Sequence, residues 1–110
     1  MARFLGLVKV SAEEASRMVQ DGPHSRREFI ELLVREVGGT VEGLWLTYVG
    51  DWDLVCIVDM EQGTSARGAA ATLARRAARL TDQERWIELS DVDAVGDALE
   101  QMSGSAPGGN

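Results

Sequence analysis

The sequence predicts an α+β fold in which a four-stranded antiparallel sheet carries its helices on one face. Four apolar, strand-like segments lie along the chain, and amphipathic segments with helical spacing separate all but the middle two. A glycine turn short enough for a hairpin joins that middle pair. The order is therefore β-α-β-β-α-β with an added C-terminal helix, which is the ferredoxin-like split βαβ arrangement.

The first strand and the first helix follow from the N-terminal pattern. The segment "RFLGLVKV" is typical of a strand and is apolar on both faces. Ser11 and Glu14 predict a capping box, in which each side chain accepts a backbone N–H at the start of the helix. A short helix from about Ala12 to Gln20 is expected to end at "DGP".

The main helix is expected to begin at a second capping box, formed by Ser25 and Glu28. Gly38 suits the left-handed position just past a helix, so the helix should end there. Apolar residues recur at helical spacing and form one stripe; they are Phe29, Ile30, Leu33 and Val37.

A hairpin is predicted over residues 40–60. Gly50 and Asp51 suit a two-residue primed turn, because glycine takes positive φ without a Cβ clash. A bulge would shift the pairing by one residue and exchange the two faces. Without a bulge, the opposed residues are Tyr48 with Asp53, Leu46 with Val55, Trp45 with Cys56, and Leu44 with Ile57.

Residues 64–80 predict a third helix whose low, alanine-rich stripe would lie against the sheet, with its arginines in solvent. The strand "ERWIELS" and the acidic helix "DVDAVGDALEQM" follow. These elements form one domain over residues 1–102, and the small-residue run 103–110 is expected to be a disordered tail. The stripe comprises Ala66, Ala69, Ala70, Leu73, Ala77 and Leu80.

The composition argues against several functional classes. The formal net charge of −7 disfavours nucleic-acid binding, which needs clustered cations. No apolar run approaches the roughly 20 residues that cross a bilayer, so we expect a cytoplasmic protein without membrane contact. With Cys56 and His24 each the only residue of its type, no intramolecular disulfide forms and soft metal ligands are few. No nucleotide or metal motif is present, so we expect no cofactor.

The first three strands are apolar on both faces, although the helices of the chain can cover only one. An antiparallel sheet facing water usually alternates apolar and polar residues. An exposed apolar sheet face of this size marks an interface, and a second copy of the sheet would cover it. The sequence therefore predicts a homodimer formed through the open sheet face.

The hairpin segment "GGTVEGLWLTYVGDWDLVCIVD" closely resembles the GYD-domain proteins, a group of small bacterial and archaeal proteins. The shared pattern is a double glycine after the main helix, an aromatic-rich strand, and Gly-acid-aromatic-Asp entering an apolar strand. Here the last element is Gly50-Asp51-Trp52-Asp53, with tryptophan where tyrosine is usual. The resemblance covers about residues 2–100. It implies a ferredoxin-like protomer pairing as a dimeric α/β barrel, in a superfamily that includes cofactor-independent monooxygenases, cyclases and isomerases.

Asp53 is the first candidate for chemistry. Beside Tyr48 it would be partly desolvated, which raises a carboxyl pKa toward the range of a general base. The alternative is a turn aspartate that accepts backbone amides and holds the hairpin corner. Tyr48 would either donate to a developing oxyanion or satisfy its hydroxyl against the backbone.

Four other side chains complete the candidate site. Trp45 and Trp52 offer flat surfaces for an aromatic or apolar ligand, or else pack at an interface. His24, at the entrance to the main helix, would be a second acid–base group or an exposed loop residue. Arg27, together with its neighbour Arg26, would bind a substrate carboxylate, or else one of the two arginines points to solvent. Cys56, in an apolar run, is interpreted as a small buried hydrophobe.

Two functional hypotheses follow. The first is a small-molecule-binding dimeric α/β-barrel protein acting as a cofactor-independent enzyme of bacterial secondary metabolism, with Asp53 or His24 moving a proton in a cyclisation, isomerisation or oxygenation. The second is a non-catalytic dimeric module that binds a metabolite or another protein. A cavity that reaches Asp53 or His24 would favour the first.

Overall fold

A computed structural model describes residues 1–47 and 50–105. The four strands form one antiparallel sheet in the order β2-β3-β1-β4, which confirms the predicted α+β class and ferredoxin-like order. The elements within the described residues are β1 (Ala2–Val10), α1 (Ala12–Asp21), α2 (Pro23–Glu36), β2 (Gly39–Leu46), β3 (Leu54–Met60), α3 (Ser65–Ala77), β4 (Thr81–Leu89) and α4 (Val92–Ser105).

Only half of the first predicted capping box forms. The Ser11 hydroxyl accepts the backbone N–H of Glu14 at 3.0 Å, as expected. The backbone N–H of Ser11, however, donates to the carbonyl of Leu80 at 3.1 Å. The Glu14 carboxylate is therefore released from the helix end and binds Arg26 instead.

The second predicted capping box is wrong, because α2 begins two residues before Ser25. Gly22 is the N-cap with φ 85°, and Pro23 occupies the first turn without a side-chain cap. Proline suits this position since its φ is already helical and its missing N–H would have had no partner. Gly38, with φ 85°, follows the helix in the left-handed conformation that its predicted role requires.

The hairpin register differs from the predicted one by one residue. Trp45 lies opposite Val55, not Cys56, and a bulge interrupts the pairing between Val41 and Gly43. The cause is a longer connection than the predicted two-residue turn, since the N–H of Thr47 already donates to the carbonyl of Asp53 at 2.9 Å. The predicted opposition of Tyr48 and Asp53 involves Tyr48, which lies outside the described residues.

The predicted sheet-facing side of α3 is also wrong. Most of its predicted stripe faces solvent, with Leu73 67% exposed, and only Ala69 and Leu80 of the stripe border the space over the sheet. The half-buried positions of α3 are Gly68, Ala71, Thr72 and Arg75, which lie on the opposite side of the helix. Arg75 turns toward the sheet because it pairs with a buried carboxylate there.

The buried core is small and lies between the sheet and the helices. It consists of Val8, Leu54, Cys56 and Val58. Side chains alternate across a strand, so the opposite face carries the second apolar set. That open face holds Leu5, Leu7, Val55, Ile57, Trp45, Ile87 and Leu89, of which Trp45 is 53% exposed. The apolar character of both faces agrees with the sequence.

The C-terminal helix α4 extends away from this body. The radius of gyration is 17.6 Å and the longest extent is 62 Å, whereas a compact chain of this length has a radius of about 13 Å. Residues 92–103 of α4 are all exposed. The helix continues to Ser105, into the segment expected to be a tail, and 106–110 lie outside the described residues. Within the described part of the chain, no helix has the length and apolarity needed to span a membrane.

Candidate functional site

An open cavity of about 550 Å³ lies between the helix-facing side of the sheet and the two helices α2 and α3. The sheet contributes its floor, mainly through apolar side chains of β1 and β3. Trp86 of β4 adds an aromatic wall. The floor residues include Phe4, Val8, Leu54, Cys56 and Val58.

The two helices form opposite walls of different character. The wall from α2 is the apolar stripe predicted from the sequence, including Phe29, Ile30 and Leu33. The wall from α3 is built from small and polar residues, namely Gly68, Ala69, Thr72 and Arg75. Because the α3 side chains that face the sheet are short or paired, they leave space that larger apolar side chains would have filled.

Glu84 of β4 is the centre of a buried polar cluster at the α3 wall. Its carboxylate accepts two hydrogen bonds from Arg75, at 2.8 and 2.7 Å, and one each from Thr81 and the Trp86 indole, both at 2.9 Å. Burial by itself raises the pKa of Glu84. Hydrogen bonds from Arg75, Trp86 and Thr81, with the charge of Arg75, outweigh burial and hold this pKa below its ordinary value. Glu84 therefore stays ionised at neutral pH.

A second buried ion pair lies at the α1–α2 side of the cavity. Glu14, whose side chain is 5% exposed, accepts two hydrogen bonds from Arg26 at 2.9 and 2.6 Å. Arg17 donates a third at 3.3 Å. The Arg26 guanidinium also lies 4.2 Å from the centroid of the Phe29 ring, so this arginine links α1 to α2 and to the cavity wall.

The Trp86 ring packs over Gly6 of β1. A Cβ atom at Gly6 would lie 2.4 Å from the Trp86 ring and 2.8 Å from the sulfur of Cys56. Only glycine at this position leaves room for both side chains. Burial raises the pKa of the Cys56 thiol to about 11, which agrees with its interpretation as a buried, unreactive group.

Asp53 and Trp52 lie at the entrance to β3. The Asp53 carboxylate accepts the backbone N–H of Val10 at 3.0 Å. The carbonyl of Trp52 accepts the hydroxyl of Thr47. The first contact joins the start of β3 to β1, and the second closes the hairpin. Accepting a backbone N–H is the structural alternative given above for Asp53.

The other predicted site residues are dispersed. His24 is exposed near the start of α2, and Arg27 is exposed and donates to Glu31 at 2.8 Å along the same helix. Trp45 lies on the open face of the sheet, opposite Val55. Of the predicted residues that the structure describes, none lines the cavity.

The residues that do line the cavity escaped the sequence reasoning because most are ordinary core types. Arg75 had been assigned to solvent together with its neighbour Arg76. A usable signal was present in α3, where small or polar residues recur at i, i+4, i+8 and i+11: Thr64, Gly68, Thr72 and Arg75. Among residues 1–47 and 50–105, no group of three His, Cys, Asp or Glu side chains is placed to hold a metal ion.

The fold and its cavity define a small ferredoxin-like α+β domain. The family model of the GYD domain matches residues 4–98, and the chain belongs to the GYD-domain family. No curated protein and no solved structure shows significant similarity to the chain.

Proposed function

We propose that this protein binds an uncharged, largely apolar small molecule in the cavity between the sheet and helices α2 and α3. The observation that carries the proposal is the cavity itself. Its volume of about 550 Å³ falls within the roughly 300–1,000 Å³ of small-molecule sites. Its walls combine aromatic and aliphatic surface with a few polar groups, as such sites do.

The apolar floor of the cavity favours an apolar occupant. Water can enter this open cavity but gains few hydrogen bonds from its apolar floor. An apolar ligand would supply the missing contacts.

The charges around the cavity favour a neutral ligand. Arg75 is neutralised by Glu84, and Glu14 by Arg26. No buried side-chain nitrogen or oxygen of the described residues lacks a hydrogen-bond partner. An anionic ligand would have to break one of these ion pairs to form a bidentate pair with an arginine, which leaves a buried carboxylate uncompensated. The other charged lining residues, Glu61 and Glu88, are exposed to solvent, so they would attract a cation only weakly. An aromatic or polyketide-like metabolite of bacterial secondary metabolism has the required character.

We favour binding over catalysis for this site. Neither Asp53 nor His24, the two groups with predicted acid–base roles, lines the cavity. Asp53 instead accepts a backbone N–H. The proposed protein is therefore a binding module, and cofactor-independent catalysis in this cavity would need a different base.

The experiment uses N-phenyl-1-naphthylamine, an uncharged apolar fluorophore, excited directly rather than through tryptophan. Ala69 lines the cavity and its neighbour Ala70 does not, although both lie on α3. We expect Ala69→Trp to weaken binding by about tenfold or more, equivalent to ~1.4 kcal/mol, while Ala70→Trp binds as the unmodified protein does. Equal binding by both variants, or none by the unmodified protein, would overturn the proposal.

We also propose that the chain forms a homodimer through the apolar residues of its open sheet face. Leu5 lies between Ile57 and Ile87 in a continuous row across three strands, and a second sheet is a complementary cover for such a row. Light scattering should give a multiple of the protomer mass. Ile57→Glu should separate the sheets, whereas Gln83→Glu, which adds the same charge at a polar position on β4, should not. A monomer at micromolar concentration contradicts this proposal.

A further inference from the structure

The guanidinium of Arg75 on α3 is only partly engaged within the protein. Its Nε and Nη2 atoms donate to the two oxygens of Glu84 at 2.8 and 2.7 Å, and Nη2 also donates to the hydroxyl of Thr72 at 3.1 Å. A guanidinium is planar, so pairing through Nε and Nη2 leaves Nη1 on the edge turned away from the carboxylate. Among the described residues, none accepts a hydrogen bond from Nη1.

This free nitrogen is accessible from the cavity. No buried side-chain nitrogen or oxygen of the described residues lacks a hydrogen-bond partner, so Nη1, which lacks one, is open to solvent. The Arg75 side chain is 18% exposed and lines the cavity. At Gly68, on the same wall, an added Cβ would have no heavy atom within 4 Å. The α3 wall therefore borders open space from which a ligand can approach Nη1.

The other side-chain donors on this side of the cavity are already used. The hydroxyl of Thr72 donates to the carbonyl of Gly68 at 3.0 Å. The hydroxyl of Thr81 and the indole N–H of Trp86 both donate to Glu84 at 2.9 Å. A ligand beside these residues therefore meets a donor without a partner at Nη1, and an acceptor atom on the ligand would complete the site.

The acceptors at the same wall favour a carbonyl over a hydroxyl. Glu84 accepts four hydrogen bonds, two at each oxygen, which is the usual capacity of a carboxylate. A ligand hydroxyl would bring a proton for which Glu84 has no free position, and an unpaired buried donor is costly. A carbonyl oxygen only accepts, so it satisfies Nη1 and brings no further donor.

The charges of the lining favour a neutral acceptor over a carboxylate. Arg75 is the one cationic side chain among the described residues that line the cavity, and Glu84 neutralises it. The lining also includes Glu61 and Glu88, and the whole chain carries a net charge of −7. A ligand carboxylate at Nη1 would be repelled by Glu84 and by this surplus of negative charge, whereas a neutral carbonyl would not.

We propose that the ligand of this cavity carries a carbonyl oxygen, and that this oxygen accepts a hydrogen bond from Nη1 of Arg75. The apolar part of the ligand then lies toward the aliphatic and aromatic wall of α2, across the cavity. Ketones, lactones and quinones built on apolar rings belong to this class. The inference rests on the proposed function and narrows its ligand from an apolar molecule to an apolar carbonyl compound.

The test compares benzophenone with diphenylmethane, which have nearly the same shape and differ by a carbonyl in place of a methylene. In a cavity without a free donor the ketone binds more weakly, because its oxygen gives up hydrogen bonds with water. With Nη1 as donor we expect benzophenone to bind about tenfold more tightly than diphenylmethane, since hydrogen bonds to charged groups are among the stronger ones. Equilibrium dialysis, with the ligand measured by chromatography, gives both affinities.

A pair of lysine variants tests the role of Nη1. Arg75→Lys keeps a cation for Glu84 but has no second planar edge to donate from. We expect the ratio of the two affinities to fall about tenfold in Arg75→Lys, equivalent to the loss of one charge-assisted hydrogen bond. Arg76→Lys makes the same change at the adjacent exposed position and should keep the ratio of the unmodified protein.

Infrared spectroscopy of the unmodified protein supplies a measurement that needs no variant. A hydrogen bond from a cationic donor weakens the C=O bond, so the carbonyl band of bound benzophenone should lie below its position in water. An isotope-edited difference spectrum separates this band from the protein amides. A band at the position seen in water or in hexane contradicts the proposal, even where Arg75→Lys does not fold.

The outcomes distinguish this proposal from the proposed function. If N-phenyl-1-naphthylamine binds but benzophenone binds no more tightly than diphenylmethane, the carbonyl assignment fails and the apolar site stands. Equal affinity ratios for Arg75→Lys and Arg76→Lys also overturn the role of Arg75. If neither the fluorophore nor either of the two compounds binds, the cavity is not a ligand site and both proposals fail.

Discussion

Arg75 on α3 and Glu84 on β4 form a bidentate ion pair in the wall of the cavity, with N–O distances of 2.8 and 2.7 Å. The Glu84 side chain is 2% exposed and that of Arg75 is 18% exposed. The pair fixes which side of α3 faces the sheet, since a buried carboxylate requires its cation more strongly than a stripe of alanines requires burial. The shape of the cavity therefore depends on an ion pair.

Removing the arginine should destabilise the protein strongly. We expect Arg75→Ala to lower the free energy of unfolding by about 3–5 kcal/mol, because it leaves the Glu84 charge buried without its partner. Arg76→Ala, at the adjacent exposed position, should change it by less than about 0.5 kcal/mol. Urea unfolding followed by circular dichroism measures both. Equal effects would show that the pair does not hold α3.

The same ion pair should make the free energy of unfolding depend on pH in the acidic range. The pKa of Glu84 is lower in the folded protein than its ordinary value of 4.5, so the unfolded chain binds the proton more readily. The stabilisation is therefore complete above the ordinary pKa and is lost as the pH falls through the lower folded pKa. Unfolding free energies between about pH 6 and about pH 3 should fall less steeply for Glu84→Gln. Parallel curves for the two proteins would contradict this assignment.

The element order and the two apolar sheet faces were predictable from the sequence. Each depends on local features, namely the spacing of apolar residues along a segment and residues that end a helix, such as Gly38. The side of α3 that faces the sheet was not predictable in this way. The spacing of apolar residues favours the alanine-rich side, and it cannot show that Arg75 pairs with Glu84 on another element. The hairpin register was missed for a similar reason. A bulge near Gly43 and a longer connection after Thr47 leave the alternation of each strand unchanged.

The candidate site was predicted least well. The sequence analysis favoured residues with titratable or aromatic side chains around the hairpin, such as Asp53. The cavity is instead lined by ordinary core types, and its existence depends on how far α2 and α3 stand apart. That separation is a property of tertiary packing, which a single sequence does not display.

Gly6 and Gly68 should respond in opposite directions to alanine. A Cβ at Gly6 meets the Trp86 ring at 2.4 Å, whereas a Cβ at Gly68 has no heavy atom within 4 Å. We expect Gly6→Ala to cost about 1–3 kcal/mol through overpacking. Gly68→Ala should stabilise α3 by up to about 1 kcal/mol through helix propensity. Thermal unfolding distinguishes them, and a destabilised Gly68→Ala would mean that α3 packs closer to the sheet.

Cys56 should react slowly with iodoacetamide in the folded protein. Burial raises its thiol pKa from 9.0 to about 11, so near neutral pH the reactive thiolate is about a hundredfold rarer than in the unfolded chain. The alkylation rate in buffer and in urea, compared by mass spectrometry, measures the difference. An occupant of the cavity, which Cys56 lines, should slow the reaction further. Equal rates in buffer and urea would contradict the burial of this thiol.

Asp53 should prove to be a structural acceptor. Its carboxylate accepts the N–H of Val10 beyond the end of β3, where no strand carbonyl is available. Asp53→Ala should therefore cost about 1–3 kcal/mol by leaving that N–H unpaired. Asp53→Asn keeps an acceptor oxygen and should retain most of the stability, and Asp51→Ala in the exposed loop should be neutral. Urea unfolding of the three variants measures their free energies of unfolding and so ranks their stabilities. If Asp53→Ala is as stable as the unmodified protein, the fold does not need the carboxylate as an acceptor. The acid–base role predicted from the sequence would then be the better explanation of Asp53.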